Sequence, residues 1–249
     1  MGIGSSNCED SKPIEEFGRQ LSLSSDSEIM TPKESEPKLP HNYEAILKDA
    51  DPPMIWSSMD DLKDQLHFGV FLNQKRKASP NPIQDKYWVE KNSGYNCFML
   101  FARDLSITWA EDEQYWHWHD PTEITSADVF VDVAEVLNVC WLEVHGKFNM
   151  KNLSQGIKYE VVFVVMLKNL AYGWEVPVNL RLALPDGNKQ ERKERLLDMP
   201  RGEWVELRVG EFHTSHDRVG KMQFTMFEYE GGKWKRGLVI KGASIRPKK

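Results

Sequence analysis

Aromatic and acidic residues crowd into one short part of the sequence, Ala102–Trp118. Trp109, Trp116 and Trp118 fall within ten residues, and Glu111–Glu113 lie between the first two of these tryptophans. An indole offers a flat apolar face on which the CH side of a pyranose ring can pack, and carboxylates accept hydrogen bonds from sugar hydroxyls. The segment therefore indicates a carbohydrate site. Composition alone favours the alternative, in which all three tryptophans belong to a hydrophobic core.

The sequence lacks three compact catalytic motifs. A Gly-x-Ser-x-Gly elbow, a phosphate-binding glycine loop and a His-Glu-x-x-His helix are absent. Paired carboxylates for glycoside hydrolysis stay open, because their spacing is spatial rather than sequential. His117, His119 and Asp120 carry atoms that bind zinc, but Pro121 follows at once and no further ligand stands at a recognised spacing. We expect no enzyme, no metal and no cofactor.

Composition limits the class of protein further. Hydrophobic residues make up 40% and charged residues 28% of the 249 residues, as is usual for a globular protein. The net charge of −6 argues against a protein that binds nucleic acid over its whole surface. No apolar run approaches the roughly 20 residues of a membrane helix, and no secretion signal is recognisable. We expect a cytoplasmic protein, with the nucleus as a second location.

Residues 1–40 differ from the rest in composition. They contain eight serines, four prolines and eight acids against four bases, so this segment is expected to be a disordered acidic tail. Its first residues fit the N-myristoylation pattern, which marks Gly2 as a candidate lipid acceptor and Cys8 as a second one. We expect membrane association only if this acylation occurs. Cys97 and Cys140 fall in strand patterns, so Cys8 is expected to be the reactive thiol.

Residues 41–86 are predicted to form a short helical region followed by a linker. Asn42 is a candidate cap for a first helix, and Ser58 with Asp61 resembles the capping box of a second. Gly69 is the expected stop of that helix. The polar, basic and proline-bearing stretch 73–82 is the expected linker.

Residues 87–249 show an alternation of period two that predicts strands. Short strand patterns separated by turn signals, without helices between them, are typical of an antiparallel β-sandwich, here of jelly-roll type. The charged run Lys189–Arg195 is left as either a helical turn or an exposed loop, and Trp141 is assigned to the core. The predicted strands are Cys97–Ala102, Leu105–Trp109, Gln114–Trp118, Val139–Phe148, Lys158–Lys168, Val176–Leu184, Glu203–Phe212, Lys221–Tyr229 and Gly237–Ile245.

The C-terminal stretch Gly231–Lys249 carries seven bases and no acid. Such a stretch can contact RNA, although a solvated basic face is the commoner outcome. We therefore keep an RNA-binding or protein-interaction module, acting through this basic face, as the alternative to a carbohydrate-binding protein.

Several segments together resemble the phloem protein 2 family of plant lectins, the Nictaba-like lectins. The resemblance covers roughly Tyr87–Pro247 and rests on their order along the chain as well as on each motif. The segments are Leu105–Trp109, Gln114–Trp118, Cys140–Val144 with Gly146–Phe148, Tyr159–Phe163, Val209–Phe212 and Ile240–Pro247.

The resemblance implies a β-sandwich lectin for N-acetylglucosamine oligomers (chitooligosaccharides) and N-glycan cores, without metal or catalysis. Trp109, Trp116 and Glu228 match the family's sugar-contacting positions, and we add Trp118 as a fourth candidate. A second acidic position of the family falls at Lys221, so that contact is not expected. The family also implies a homodimer, glycoprotein ligands, phloem filament protein and RNA as partners, a phloem location and a role in plant defence.

Overall fold

The computed structural model describes residues 39–73, 84–119, 132–217 and 219–248. Within these residues, two helices are followed by thirteen strands. The helices are α1 (Tyr43–Leu47) and α2 (Met59–Phe68), and short 3₁₀ turns cover Ala102–Asp104, Met150–Asn152 and Leu196–Asp198. Strands β1 to β13 are, in chain order, Val70–Asn73, Gln84–Val89, Asn96–Phe101, Ser106–Ile107, Trp116–His119, Val133–Val136, Leu142–Asn149, Lys158–Tyr172, Val178–Ala183, Lys189–Glu194, Trp204–His213, Lys221–Glu228 and Arg236–Pro247.

The strands form two sheets, which confirms the predicted antiparallel β-sandwich. In the larger sheet the long strand β13 pairs with β8 on one side and with β3 and β6 on the other. Strands β11, β2, β1 and β5 extend this sheet outwards. The smaller sheet has the order β10-β9-β12-β7-β4. Phe163 of the larger sheet meets Phe224 of the smaller one edge to face, with ring centroids 5.6 Å apart, so the two inner faces share one core.

Alternation along the strands explains which residues enter that core. In β7, Leu142, Val144 and Phe148 are buried, whereas Glu143 and His145 point to the other face of the smaller sheet. The period of two found in the sequence is therefore the period of burial in the fold.

The region before the sandwich is only partly helical. Helix α2 begins as predicted, because the Ser58 hydroxyl accepts the Asp61 N–H at 3.2 Å, and it buries Leu62 and Leu66. Helix α2 ends at Phe68 with Gly69 as its C-cap, as predicted, whereas Asn42 precedes α1 without making the predicted side-chain cap. Val70–Asn73 form strand β1, which pairs with β2 and so extends the larger sheet.

The charged run at 189–195 is mainly a strand, neither a helical turn nor a loop. Strand β10 pairs along its whole length with β9, and Glu191 accepts a hydrogen bond from the Arg181 side chain at 2.6 Å. Opposite charges on neighbouring strands make this polar sequence compatible with a sheet edge.

Some predictions concern residues that the structure does not describe. Residues 1–38 of the predicted tail, with Gly2 and Cys8, residues 74–82 of the predicted linker, and Asp120 all lie outside the described residues. Within the described ranges, no helix is long and apolar enough to cross a membrane. The predicted domain boundaries at 40 and 86 stay predictions.

We predict that Cys140 reacts with a thiol reagent before Cys97 does. Burial raises the pKa of the Cys97 thiol to about 12, whereas Cys140 is only partly buried. Labelling of native Cys8→Ser protein at pH 8, followed by peptide mass spectrometry, should show Cys140 modified first and Cys97 modified only on unfolding. Equal labelling rates for the two thiols would contradict the buried position of Cys97.

Candidate functional site

The loop that carries Trp109 connects the two sheets. It leaves the smaller sheet at the end of β4 and enters the larger sheet at the start of β5. Trp109 adopts a left-handed backbone conformation with φ of 59°, which is rare for a bulky residue, and its side chain is 49% exposed. Such a conformation persists only where the surroundings hold it in place, and it concentrates at functional sites.

Two neighbouring tryptophans hold the backbone on either side of Trp109. The indole N–H of Trp116 donates to the carbonyl of Thr108 at 2.9 Å, and the indole N–H of Trp118 donates to the carbonyl of Ala110 at 2.9 Å. Trp116 is 1% exposed, so its ring is part of the core. The two indoles thus fix the residues that precede and follow Trp109.

An open groove of about 890 Å³ lies beside this loop. The Trp109 ring packs on Tyr115 with centroids 5.2 Å apart, and the Arg103 guanidinium sits 3.7 Å from the centre of the Trp118 ring. Arg103 is held by Asp132 at 2.8 Å. Residues lining the groove are Arg103, Leu105, Ser106, Ile107, Trp109, Ala110, Glu111, Asp112, Glu113, Gln114 and Trp118.

The three acidic residues of the loop, Glu111, Asp112 and Glu113, lie in two different environments. The Asp112 N–H donates to the carbonyl of Trp109 at 3.0 Å, and the Asp112 carboxylate accepts the Gln114 N–H at 2.9 Å. Asp112 therefore shapes the turn. Glu111 and Glu113 are exposed at the groove, where their carboxylates can accept hydrogen bonds from a ligand's hydroxyls.

Glu228 lies at the end of β12 and is 1% exposed. Its carboxylate accepts the Gly231 N–H at 2.7 Å and forms an ion pair with Lys235, which is itself fully buried. The Lys235 ammonium also donates to the carbonyl of Cys140 at 2.8 Å. The Glu228–Lys235 ion pair and these hydrogen bonds thus stabilise the turn between β12 and β13 on its buried side.

The four sequence-predicted site residues thus occupy two kinds of environment. Trp109 and Trp118 line the groove, whereas Trp116 and Glu228 are buried and do not line it. In this conformation Trp116 and Glu228 can act on a ligand only through the backbone that they hold. The roles of all four in sugar binding stay predictions.

The assignment of Trp141 to the core is wrong. Trp141 is 40% exposed and stacks on Tyr229, with ring centroids 4.1 Å apart and an interplanar angle of 14°. It precedes β7 by one residue and shares the outward face with Glu143 and His145. That parity is visible in the sequence and could have placed it correctly.

The two histidines considered as zinc ligands lie side by side on β5, where the exposed His117 ring packs edge-on against His119. His119 contacts the Glu135 carboxylate, which also accepts a hydrogen bond from Lys168 at 2.9 Å. Burial alone would raise the pKa of Glu135, but these two partners bring it below its ordinary value. Within the part of the chain that is described, no cluster of three or more His, Cys, Asp or Glu side chains is arranged to hold a metal ion.

Comparison with known proteins adds the family to this geometry. Residues 95–247 match the family model described as "Phloem protein 2". The chain belongs to the phloem protein 2 family. It is 50% identical over 218 residues to "Protein PHLOEM PROTEIN 2-LIKE A1" of Arabidopsis thaliana, covering 87% of this chain and 84% of that protein. It is 43% identical over 216 residues to a protein named "Lectin" from Luffa acutangula, covering 86% of this chain and 97% of the relative.

The phloem protein 2 match confirms the resemblance found in the sequence. It begins at the residue before β3 and ends with β13, so it includes the smaller sheet, the whole groove and all of the larger sheet except β1 and β2. Helices α1 and α2 precede the matched region, but the alignments with the two relatives span most of the chain.

We predict that Trp116→Phe weakens carbohydrate binding although its ring does not line the groove. Loss of the indole N–H leaves the Thr108 carbonyl without its donor, which costs roughly 1–3 kcal/mol and releases the backbone before Trp109. The matched control is Trp174→Phe, because Trp174 is equally buried and donates to a backbone carbonyl at 2.8 Å elsewhere in the sandwich.

Titration with chitotriose, the trimer of N-acetylglucosamine, should show weaker binding only in Trp116→Phe. Thermal unfolding should show that both variants lose similar stability. If both retain wild-type affinity, the indole does not position Trp109.

We also predict that Glu228→Gln strongly destabilises the fold. The variant keeps an acceptor for the Gly231 N–H but leaves Lys235 charged and unpaired in the core, which typically costs about 3–5 kcal/mol. Adding Lys235→Met should restore most of the stability, because the second charge is then removed as well. Urea unfolding of the wild type and both variants measures this; a stable single variant would contradict the buried ion pair.

Proposed function

We propose that this chain is a lectin that binds N-acetylglucosamine oligomers in the Trp109 groove. The observation that carries the proposal is the exposed indole of Trp109, held in a strained conformation beside exposed carboxylates. The family match and the relative named "Lectin" support the same class of function. N-glycan cores, which contain N-acetylglucosamine, are the proposed natural ligands on glycoproteins.

In this proposal the residues of the site have distinct roles. One sugar ring packs on the Trp109 indole, and Glu111 and Glu113 accept its hydroxyl hydrogen bonds. Trp118 forms the floor of the groove, where Arg103 already covers one of its ring faces. Trp116 is a positioning residue.

We propose no catalytic role for the groove. Glycoside hydrolysis uses a carboxylic acid whose pKa is raised so that it stays protonated. Among the described residues, the carboxyl groups whose pKa is clearly displaced have it lowered: Asp61, Glu135, Glu143 and Glu211. None of these four lines the groove, and the family match and the relative named "Lectin" support binding rather than catalysis.

The alternative, RNA binding through the basic C-terminal stretch, has less support from the charges of the described residues. Lys235 is buried against Glu228, and Lys248 pairs with Glu211. Arg246 donates to Glu206 at 2.7 Å. Bases that already have carboxylate partners contribute less to phosphate binding, because each must first lose its partner.

We also propose a location, an oligomeric state and partners for this lectin. The lectin acts in plant phloem or cytosol as a homodimer, and phloem filament protein is a proposed partner. Membrane association is proposed only for a form acylated at Gly2 and Cys8.

We predict that Trp109→Ala abolishes measurable binding of chitotriose and leaves the fold intact. Truncation of a well-placed aromatic anchor costs about 2 kcal/mol or more, enough to hide a weak sugar interaction. Alanine also carries a Cβ, so the cost of the left-handed backbone at this position stays close to that of the wild type. Trp56→Ala is the control, because Trp56 is 42% exposed and lies before α2. Calorimetric titration that finds wild-type affinity in Trp109→Ala would overturn the site assignment.

A further inference from the structure

A second aromatic surface lies on the outer face of the smaller sheet. Trp141 stacks on Tyr229, and Tyr229 packs on Phe227 with centroids 5.4 Å apart. The Arg181 guanidinium sits 4.9 Å from the centre of the Phe227 ring and ends the row. Trp141 is the most exposed ring of this row, and none of the roles described above uses it.

Polar side chains connect this surface to the Trp109 groove. The Trp141 indole N–H donates to Glu143 at 3.1 Å, and the same carboxylate oxygen lies 3.5 Å from the hydroxyl of Thr108. The Thr108 N–H donates to the carbonyl of Glu143 at 3.0 Å. Hydrogen bonds through Glu143 therefore connect Trp141 to Thr108, the residue before Trp109.

The polar groups between the two tryptophans are fixed in place. His145 contacts Glu143 at 3.0 Å through one ring nitrogen and Thr225 at 3.0 Å through the other. The Trp141 N–H lowers the pKa of Glu143, and His145 adds to this, although partial burial opposes it. The charged Glu143 carboxylate and the half-exposed His145 imidazole thus lie close to the exposed Trp141 indole and to Thr108, the residue before Trp109.

We propose that the Trp141–Tyr229 pair is a second stacking subsite, so that one binding surface takes an extended β-linked oligosaccharide rather than a single sugar ring. The proposal rests on the function proposed for the Trp109 groove and adds the length of its ligand. One end of the oligosaccharide packs on Trp109 and a more distant ring packs on Trp141. Glu143 and His145 contact the hydroxyls of the sugars between them.

The chemistry of this surface fits a sugar chain better than a second copy of this protein. A stable protein interface needs about 800 Å² on each partner with few charges at its centre. Here the exposed aromatic area is small, and charged groups, Glu143 and Arg181, lie directly against its rings. Rigid aromatic rings with hydrogen-bonding groups beside them match the alternating CH faces and hydroxyls of an oligosaccharide.

Calorimetric titration of the full chain with N-acetylglucosamine oligomers of two lengths, the trimer and the hexamer, tests the proposal. Wild type should bind the hexamer more tightly than the trimer. Trp141→Ala should weaken hexamer binding about thirtyfold, the usual effect of losing an aromatic anchor, and should weaken trimer binding much less. Trp56→Ala, which removes an indole of similar exposure, should change neither. Trp141→Gln is the second variant, because it keeps a polar group of similar reach should the alanine variant unfold.

The outcomes separate this proposal from the lectin function itself. If wild type binds both oligomers and Trp141→Ala binds the hexamer like wild type, the second subsite is wrong and the lectin function stands. If wild type binds neither oligomer, both proposals fail. Sedimentation velocity provides the remaining arm. A change from dimer to monomer in Trp141→Ala, with hexamer binding intact, would make this surface an interface between copies and overturn the proposal.

Discussion

The candidate site depends on two indole hydrogen bonds that cross from one sheet to the other. Trp116 and Trp118 belong to β5 of the larger sheet, and the carbonyls that they bind, those of Thr108 and Ala110, follow β4 of the smaller sheet. A buried indole N–H must find an acceptor, and here both acceptors flank Trp109. These two hydrogen bonds therefore satisfy the indole N–H groups, join the two sheets at one edge of the sandwich and hold the Trp109 backbone in its left-handed conformation.

Each of the nine predicted strands overlaps an observed one, but the sequence patterns missed β1, β2, β6 and β10 and did not reveal the depth of the side chains. Alternation correctly placed Trp116 and Trp118 on the same side of β5. It does not show whether a side chain on that side lines the groove, as Trp118 does, or is buried beneath it, as Trp116 is. That difference depends on which loop folds over the strand, which is set by contacts far apart in sequence. The charged strand β10 was missed for a related reason, because its partner charges lie on β9.

The role of Glu228 could not be read from its neighbours in sequence. Its partner Lys235 lies in a stretch whose composition suggested a solvated basic face, yet this lysine is fully buried. A buried ion pair is expensive unless each charge is matched, and Gly231 and Cys140 supply the additional hydrogen bonds. Only the fold brings these four groups together. Sequence similarity can transfer the position of such an acid, but the contact it makes has to come from the structure.

The two edge strands of the smaller sheet disfavour strand pairing between copies of this chain. At one edge, β10 presents alternating charged side chains with Lys189, Glu191 and Lys193 the exposed ones; at the other, β4 has only two residues. Charged or very short edge strands give an incoming strand little to pair with. Growth of the sheet from molecule to molecule, the first step towards a fibre, is therefore disfavoured at both ends. This protection allows the smaller sheet to keep large aromatic rings in water at high local concentration without becoming a template for aggregation.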